Sequence, residues 1–514
     1  MLAKFLLWFK TDFYLFLYIK ASVNQQAIPI SANTVKHFTF TINGTTTIVR
    51  DVAPTMTLLQ YLRQQGYVGT KEGCGDGDCG ACTVAIAGQD AQGKPQYQAA
   101  NSCLIPIGAV AGRDVITAEG LAHGQPHGLI QAQPLEQLHP VQAAMVETAG
   151  SQCGYCTPGF IMSMFAAYYD GGLKDDVCIE GNLCRCTGYL PIRRAAQKLL
   201  AELQGESPCD RFSAVLADKN PDLEAIAYTS KEQQFYRPTE LTEALQLLEA
   251  YPDATLVAGA TDLGLEMSWH RRKYPVLVSL EGIAALKQIH QTEEYVEIGS
   301  AVPLSHIEDS LHGIFPSLDE MLHWFAARQV RNRATLGGNI GTASPIGDLP
   351  PVLLALDATV TLASINGDRT LPLADFFKGY RQTELKQGEI ITAVTIPKAI
   401  TNGATKRLSF SYKIGKRGTD DISIVAAAFA IDLDANQNIL HARLAYGGVA
   451  ATPIRAIAVE QALIGQAWNL ETVRSVKPML HEAFTPLSDL RGSANYRKLL
   501  VGNLFEKFFI EQTS

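Results

Sequence analysis

The chain has 514 residues, 47 % of them apolar and 18 % charged, with a mean hydropathy of +0.03. That is globular material with core enough for roughly three or four domains, not a disordered or fibrous chain. Forty-three Lys and Arg against 51 Asp and Glu leave a net charge of −8, so no basic surplus exists to hold a polyanion, and nucleic acid is not expected as a partner. The ten cysteines all lie between Cys74 and Cys209. A disulfide framework would not be confined to one part of so long a chain, and metal is the better reading.

Residues 1–19 are rich in Phe, Leu, Tyr and Trp, but Lys10 and Asp12 interrupt the apolar run. The run is too short to span a bilayer and lacks a signal peptide's unbroken core. Residues 1–35 read as a leader of uncertain status, either an upstream-start extension or an interfacial segment. No later run is long enough to span a bilayer, so a cytoplasmic protein without a membrane partner is expected.

Residues 37–42 and 45–49 alternate around Asn43-Gly44, a pair suited to the positive φ angles of a type I′ hairpin turn. A short helix over 58–65 precedes Gly73-Cys74-Gly-Asp-Gly-Asp-Cys79-Gly-Ala-Cys82, and Cys103 follows 21 positions later. The spacing Cys-x4-Cys-x2-Cys with a distant fourth cysteine is that of a plant-type 2Fe–2S loop. Its glycines let the backbone bring N–H groups close to a cluster. A zinc site or free thiols are the alternatives. A strand is expected over 83–87.

From His139 the pattern turns helical. Cys153 and Cys156 stand before an apolar stripe of Phe160, Ile161, Met164, Phe165 and Tyr168, with Thr157 as the expected cap and Pro158 in the first turn. Cys184 and Cys186 precede a second helix from about Pro191. Helix N-termini favour thiolates. Alone these four could hold zinc; beside a ferredoxin-like loop, a second cluster makes more functional sense. Cys178 and Cys209 match neither spacing and read as buried or spare thiols. Residues 205–234 look polar and irregular, a plausible linker.

Residues 255–263 read as a strand ending in a glycine turn, and 334–344 as a second loop rich in Gly, Asn, Thr and Ser. Such loops can present N–H groups to a pyrophosphate, or be ordinary turns of an α/β domain.

The motifs Glu72-Gly-Cys-Gly-Asp-Gly77, Leu138-His-Pro-Val-Gln142, Gln152-Cys-Gly-Tyr-Cys-Thr-Pro158 and Cys184-Arg-Cys-Thr-Gly188 together resemble the molybdenum hydroxylase family, and within it the small iron–sulfur and FAD subunits of bacterial xanthine dehydrogenases. The resemblance implies an α+β multidomain fold. Its parts would be a β-grasp 2Fe–2S ferredoxin domain (36–120), an α-helical 2Fe–2S domain (121–210), a linker (211–234), an α/β FAD-binding domain of the vanillyl-alcohol-oxidase-like type (235–404) and a C-terminal α+β flavin-domain tail (405–514). It also implies cluster ligation by Cys74, Cys79, Cys82 and Cys103, and by Cys153, Cys156, Cys184 and Cys186. Gln152 and Cys186 would approach the pterin. Leu256, Val257, Ala258, Gly259, Ala260, Thr261, Asp262 and Leu263 would form the pyrophosphate loop. Phe325, Thr335, Leu336, Gly337, Gly338, Asn339, Asp348, Ile391 and Lys413 would line the rest of the FAD site. Asp262 stands where some relatives carry glutamate, and Leu190 where many carry arginine. No motif for covalent flavin attachment is present, and His270 and His323 read as surface or packing residues. The implied partner is a large molybdopterin-binding subunit, in a heterodimer or a dimer of heterodimers. Purine hydroxylation there would send electrons through the helical-domain cluster, the ferredoxin-type cluster and FAD to NAD⁺. On this chain the implied role is positioning and tuning redox groups, with no catalytic acid or base. A small subunit of an aldehyde, nicotinate or aromatic acyl-CoA hydroxylase, and a stand-alone iron–sulfur flavoprotein reductase, are the rival readings.

Overall fold

Asn43 and Gly44 take φ angles of 52° and 80°, and the turn they make pairs His37–Ile42 with Thr45–Arg50 in antiparallel register. The computed structural model describes residues 34–122, 137–170, 175–203, 208–217 and 223–513. The leader expected over residues 1–35 lies outside these apart from its last two positions. Val35 is bridged to Tyr228 of the flavin half, so it belongs to the folded body.

The hairpin joins a five-stranded sheet in the order Thr45–Arg50, His37–Ile42, Asp114–Ile116, Thr83–Gln89, Pro95–Asn101. Helix Leu58–Gln64 lies across it, started by a reciprocal cap in which Thr57 and Gln60 bond each other's backbone N–H. Leu58, Leu59, Tyr61 and Leu62 of that helix are buried, each contributing roughly 1.5–3 kcal/mol.

Three helices, Pro140–Glu147, Thr157–Asp170 and Leu190–Leu203, follow. Thr157–Asp170 is apolar almost all round because strands Thr83–Gln89 and Pro95–Asn101 cover one side and its sister helices another. Its first backbone bond runs from the Phe160 N–H to the Cys156 carbonyl, so Cys156 takes the capping place expected of Thr157.

The linker expected over 211–234 contains regular structure in its described residues, 211–217 and 223–234. Arg211–Ala217 is a helix whose Phe212 is 6 % exposed and packs on Tyr97, Phe165 and Tyr169. The helical domain therefore runs on past residue 210. Ile226–Ser230 and Gln233–Arg237 form a hairpin that opens the flavin sheet. One buried aromatic in a polar stretch gives no periodicity, so partners distant in sequence decide these elements.

In the flavin half, Ile226–Ser230, Gln233–Arg237, Val276–Ser279 and Thr255–Val257 form one sheet. Ile289–Gln291, Tyr295–Gly299, Ile390–Pro397, Thr359–Ser364 and Gly367–Pro372 form another. The last domain is a sheet of Lys406–Ile414, Val425–Leu433, Ile439–Gly447 and Ile454–Arg455, backed by the long helix Ala494–Thr513. Every residue of Val425–Leu433 is buried. Ala426 and Ala428 face the flavin-domain core, while Phe429 and Ile431 pack among Phe505 and Phe508. No helix among the described residues is long and apolar enough to cross a membrane.

Candidate functional site

The first cysteine loop is held open by glycines in left-handed conformations, with Gly75 at φ 78° and Gly77 at φ 92°. In this shape the Cys74 N–H points at Cys79 Sγ and the Cys79 N–H at Cys74 Sγ, both at 3.3 Å. Cys82 and Cys103 are buried with their sulfurs 3.3 Å apart. Cys103 comes from a 3-10 turn directly after strand Pro95–Asn101, and Asn101 Nδ2 donates to the Gly77 carbonyl at 2.7 Å, fastening that strand end to the loop.

In the second set the thiols meet as Cys153 with Cys186 and Cys156 with Cys184. Thr187 donates its N–H to Cys184 Sγ at 3.4 Å and brings its hydroxyl to 3.2 Å. Among the described residues no three side chains of the metal-ligating kind converge as they would around a single ion. The cysteines meet in twos, which suits a two-iron cluster in which each iron takes two thiolates. Gln152, Cys153 and Cys186, the first and last of which were expected to approach the pterin, are exposed.

The two sets are backbone neighbours. The Leu183 N–H donates to the Cys79 carbonyl at 3.0 Å, and Asn182 Nδ2 to the Gly80 carbonyl at 3.0 Å. Tyr155, between Cys153 and Cys156, donates its hydroxyl to the Glu72 carbonyl. This approach needs Gly159, whose Cβ would sit 2.2 Å from the Gly80 carbonyl oxygen.

The flavin-half segments meet around a cavity of about 650 Å³. All eight residues 256–263 line it, with Phe325, Thr335, Gly337, Gly338, Asn339, Asp348, Ile391 and Lys413. Leu336 does not; at 1 % exposure its side chain turns into the core instead. The stretch expected as a second loop is in fact a short helix, Leu336–Gly341, capped by Thr335 Oγ1 accepting from the Gly338 N–H at 3.1 Å. Three glycines hid a helix that the cap and tertiary packing make. Gly259 cannot carry a side chain, since its Cβ would meet the Arg333 carbonyl oxygen at 1.6 Å. Lys413 Nζ donates to Asp348 Oδ2 and to the Trp324 carbonyl, both at 2.9 Å, so these two expected residues are partners.

Sequence reasoning missed several wall residues. Ser300 lines the cavity, and its Oγ is buried without a partner, as is Asn339 Oδ1. Polar atoms in such a wall are ready for a polar ligand. Arg381 lies 3.6 Å from Asp262. Asp420 also lines the cavity; burial, with help from the Asp78 carboxylate, pushes its carboxyl up to about 7 against the pull of Lys413 and Arg417. Asp76, Gly77 and Asp78 of the first cysteine loop form part of the same wall, as does Leu104 beside Cys103. The cysteine motif marks Asp76, Gly77 and Asp78 as part of the cluster loop, but no local pattern places them or the other residues in this wall, because they come from segments far apart in the chain.

Residues 40–108 match the family described as 2Fe-2S iron-sulfur cluster binding domain, and 117–197 that described as [2Fe-2S] binding domain. Residues 230–399 match the FAD binding domain in molybdopterin dehydrogenase, and 410–512 the CO dehydrogenase flavoprotein C-terminal domain. A chain of the carbon monoxide dehydrogenase of Hydrogenophaga pseudoflava, solved without the Mo-pyranopterin moiety of its cofactor, aligns over 94 % of its length with 53 % of this one, at 30 % identity and a TM-score of 0.50. This chain belongs to the molybdenum hydroxylase family. As a member of it, the chain is an oxidoreductase component with two 2Fe–2S domains and an FAD-binding domain, and the mixed α+β multidomain fold agrees with the expectation. Reconstituted CO dehydrogenase of Oligotropha carboxidovorans is 26 % identical at the same TM-score of 0.50, with 53 % of this chain and 94 % of that one covered. Xanthine dehydrogenase 1 of Arabidopsis thaliana is 34 % identical, aligning with 91 % of this chain and 39 % of its own length. The xanthine dehydrogenase/oxidase of Gallus gallus is 32 % identical, over 92 % of this chain and 40 % of its own length. The chain thus spans about two fifths of the length of these curated relatives.

Proposed function

We propose that this chain is the electron-transfer arm of a xanthine dehydrogenase, receiving electrons from purine hydroxylation at a molybdopterin held by a partner subunit and delivering them to NAD⁺. The observation that carries this reading is continuity. The Leu183–Cys79 hydrogen bond joins the two cysteine sets, and Asp76, Gly77 and Asp78 of the first set's loop stand in the flavin cavity wall.

Cys74, Cys79, Cys82 and Cys103 would hold one 2Fe–2S cluster, and Cys153, Cys156, Cys184 and Cys186 the other. Residues 256–263 and the capped turn at Thr335, Gly337, Gly338 and Asn339 would hold FAD between them, with Phe325, Asp348, Ile391 and Lys413 completing the wall. The donor sets fit: paired thiols with N–H groups aimed at sulfur, and a glycine-lined cavity whose Asn339 Oδ1 has no protein partner. Bound there, the clusters supply one-electron conduction and the flavin the change to two-electron chemistry. The chain's own residues position these groups. Exposed Gln152, Cys153 and Cys186 would face the partner.

The likeness to CO dehydrogenase chains favours a second reading, in which the same arm serves a molybdenum hydroxylase other than a xanthine dehydrogenase; an aldehyde, nicotinate and an aromatic acyl-CoA are the substrates to test for it. Purifying the chain with whatever it binds tests both. Molybdenum, iron and FAD in one complex that reduces NAD⁺ with xanthine support the first. Turnover only with one of the other substrates selects the second, and a molybdenum-free single chain with full NAD(P)H reductase activity overturns both.

A further inference from the structure

Next to Leu280 of the flavin cavity wall, two guanidinium groups hold one carboxylate and a third lies near it. Glu281 Oε1 takes Arg113 Nη2 at 3.0 Å and Arg333 Nη1 at 2.5 Å, with side chains between 8 % and 14 % exposed. Arg237, 2 % exposed, stands close by, its Nη2 donating to the Ala111 carbonyl and its Nε to the Glu224 carbonyl. Burial alone would raise the Glu281 carboxyl, but Arg333 and Arg113 outweigh it and bring it down to about 2, so it is ionised at any working pH. Glu281 matches one of the three charges, and the Glu224 carboxylate, whose field also reaches Arg237, offsets part of the remainder. Arg333 Nε and Nη2 and Arg237 Nη1 are buried without partners.

The three chain segments that meet here do different work. Arg113 belongs to the ferredoxin domain, where its Nε is also held by the Ala109 carbonyl at 3.0 Å. Glu281 follows Leu280, whose N–H donates at 2.8 Å to the Val257 carbonyl in the first cofactor segment. Arg333 stands two residues before the Thr335 cap, and its carbonyl is the atom that forbids a side chain at Gly259. One carboxylate therefore ties the first cofactor segment to the second and both to the ferredoxin domain.

We infer that Glu281, with Arg113 and Arg333, is a positioning centre that couples the seating of FAD to the docking of the ferredoxin domain, and that its surplus positive charge favours the dianionic pyrophosphate of the bound dinucleotide. This rests on the FAD-site reading above. Glu281 adds to the backbone bonds that set the spacing of the two cofactor segments by holding Arg333, and Glu281 is shared with a residue of the domain that carries the first cysteine set. A buried charge deprived of its partner is displaced or neutralised, so loosening one domain loosens the other's ligand.

The test uses the full chain loaded with iron and FAD. Arg113→Gln, in a domain that contributes no residue of the two cofactor segments, is expected to weaken FAD binding roughly tenfold, read by flavin fluorescence, while iron content and both clusters' EPR signals stay at wild-type levels. Glu281→Gln should weaken it further, and Glu281→Asp should restore it in large part. Unchanged FAD affinity in Arg113→Gln overturns the coupling. So does loss of iron together with FAD, which marks simple unfolding of the ferredoxin domain. If the wild-type chain itself holds no FAD, the functional reading falls with it, whereas tight FAD in wild type and Arg113→Gln alike sinks the coupling only.

Discussion

The backbone N–H of Leu183 donates to the carbonyl of Cys79 at 3.0 Å, and each residue is or adjoins a cysteine of a different set. Cys184 follows Leu183 directly. The span from one cysteine set to the other is thus one hydrogen bond between bonded backbones, and Gly80 and Gly159 are what allow it to be so short. Four predictions follow from such contacts, beside the test of Glu281.

Because the second set sits in its own helical domain, Cys184→Ser is expected to abolish one cluster's EPR signal and leave the other visible, with iron falling to about half. Simultaneous loss of both signals would contradict two separately held clusters.

Gly338 lies where the two cofactor segments face each other, its Cβ position 2.9 Å from Thr335 Oγ1 and 3.9 Å from the Ala258 Cβ. Gly338→Val crowds the cap and the space between the segments. Retained FAD is expected to fall roughly tenfold or more while iron is spared, as measured on the purified chain.

Trp269 is 61 % exposed, yet its Nε1–H donates to the Cys74 carbonyl at 3.0 Å and its ring covers Gly75. Trp269→Phe keeps a ring and removes the donor. The expected result is a shift of roughly 20–60 mV in the first cluster's potential, the one-electron equivalent of a hydrogen bond of about 0.5–1.5 kcal/mol, with the second cluster unmoved. Redox titration followed by EPR reads both at once.

Asp420 is held near 7 by burial and by Asp78, above the ordinary carboxyl range. Between the unfolded value and that raised one, the folded chain keeps a proton that the unfolded chain releases, so stability declines as pH rises through this window. Asp420→Asn removes the decline. It should gain about 1 kcal/mol at pH 8, and nothing near pH 3, seen as a higher Tm only at the upper pH. An equal shift at both pH values would show that the carboxyl titrates normally.

Much of the local structure is legible in the sequence alone. The Asn43-Gly44 turn, the helix after Thr57, the two helices behind the later cysteine pairs and the short strand before Gly259 all arise from neighbours in sequence. The cysteine-free stretch after Cys209 already marked off the flavin half. Two readings failed for the same reason. The segment 211–234 looked like linker because Phe212 and the hairpin at 226–237 owe their order to Tyr97, Phe165 and the strand Val276–Ser279. The second cofactor segment looked like loop because three glycines weaken a helix that Thr335 and the surrounding core restore. Leu336 faces the core for that reason.

By itself, then, the sequence marked the cysteines and glycine turns on which the proposed function rests, since thiol spacing and glycine freedom are properties of a few consecutive residues. Only the tertiary structure decided how those sites are joined. It brought Cys79 to Leu183, Asp78 near Asp420 and Arg113 to Glu281, pairs separated by 104, 342 and 168 positions. Such contacts depend on burial and on close approach of backbones, which no local pattern encodes.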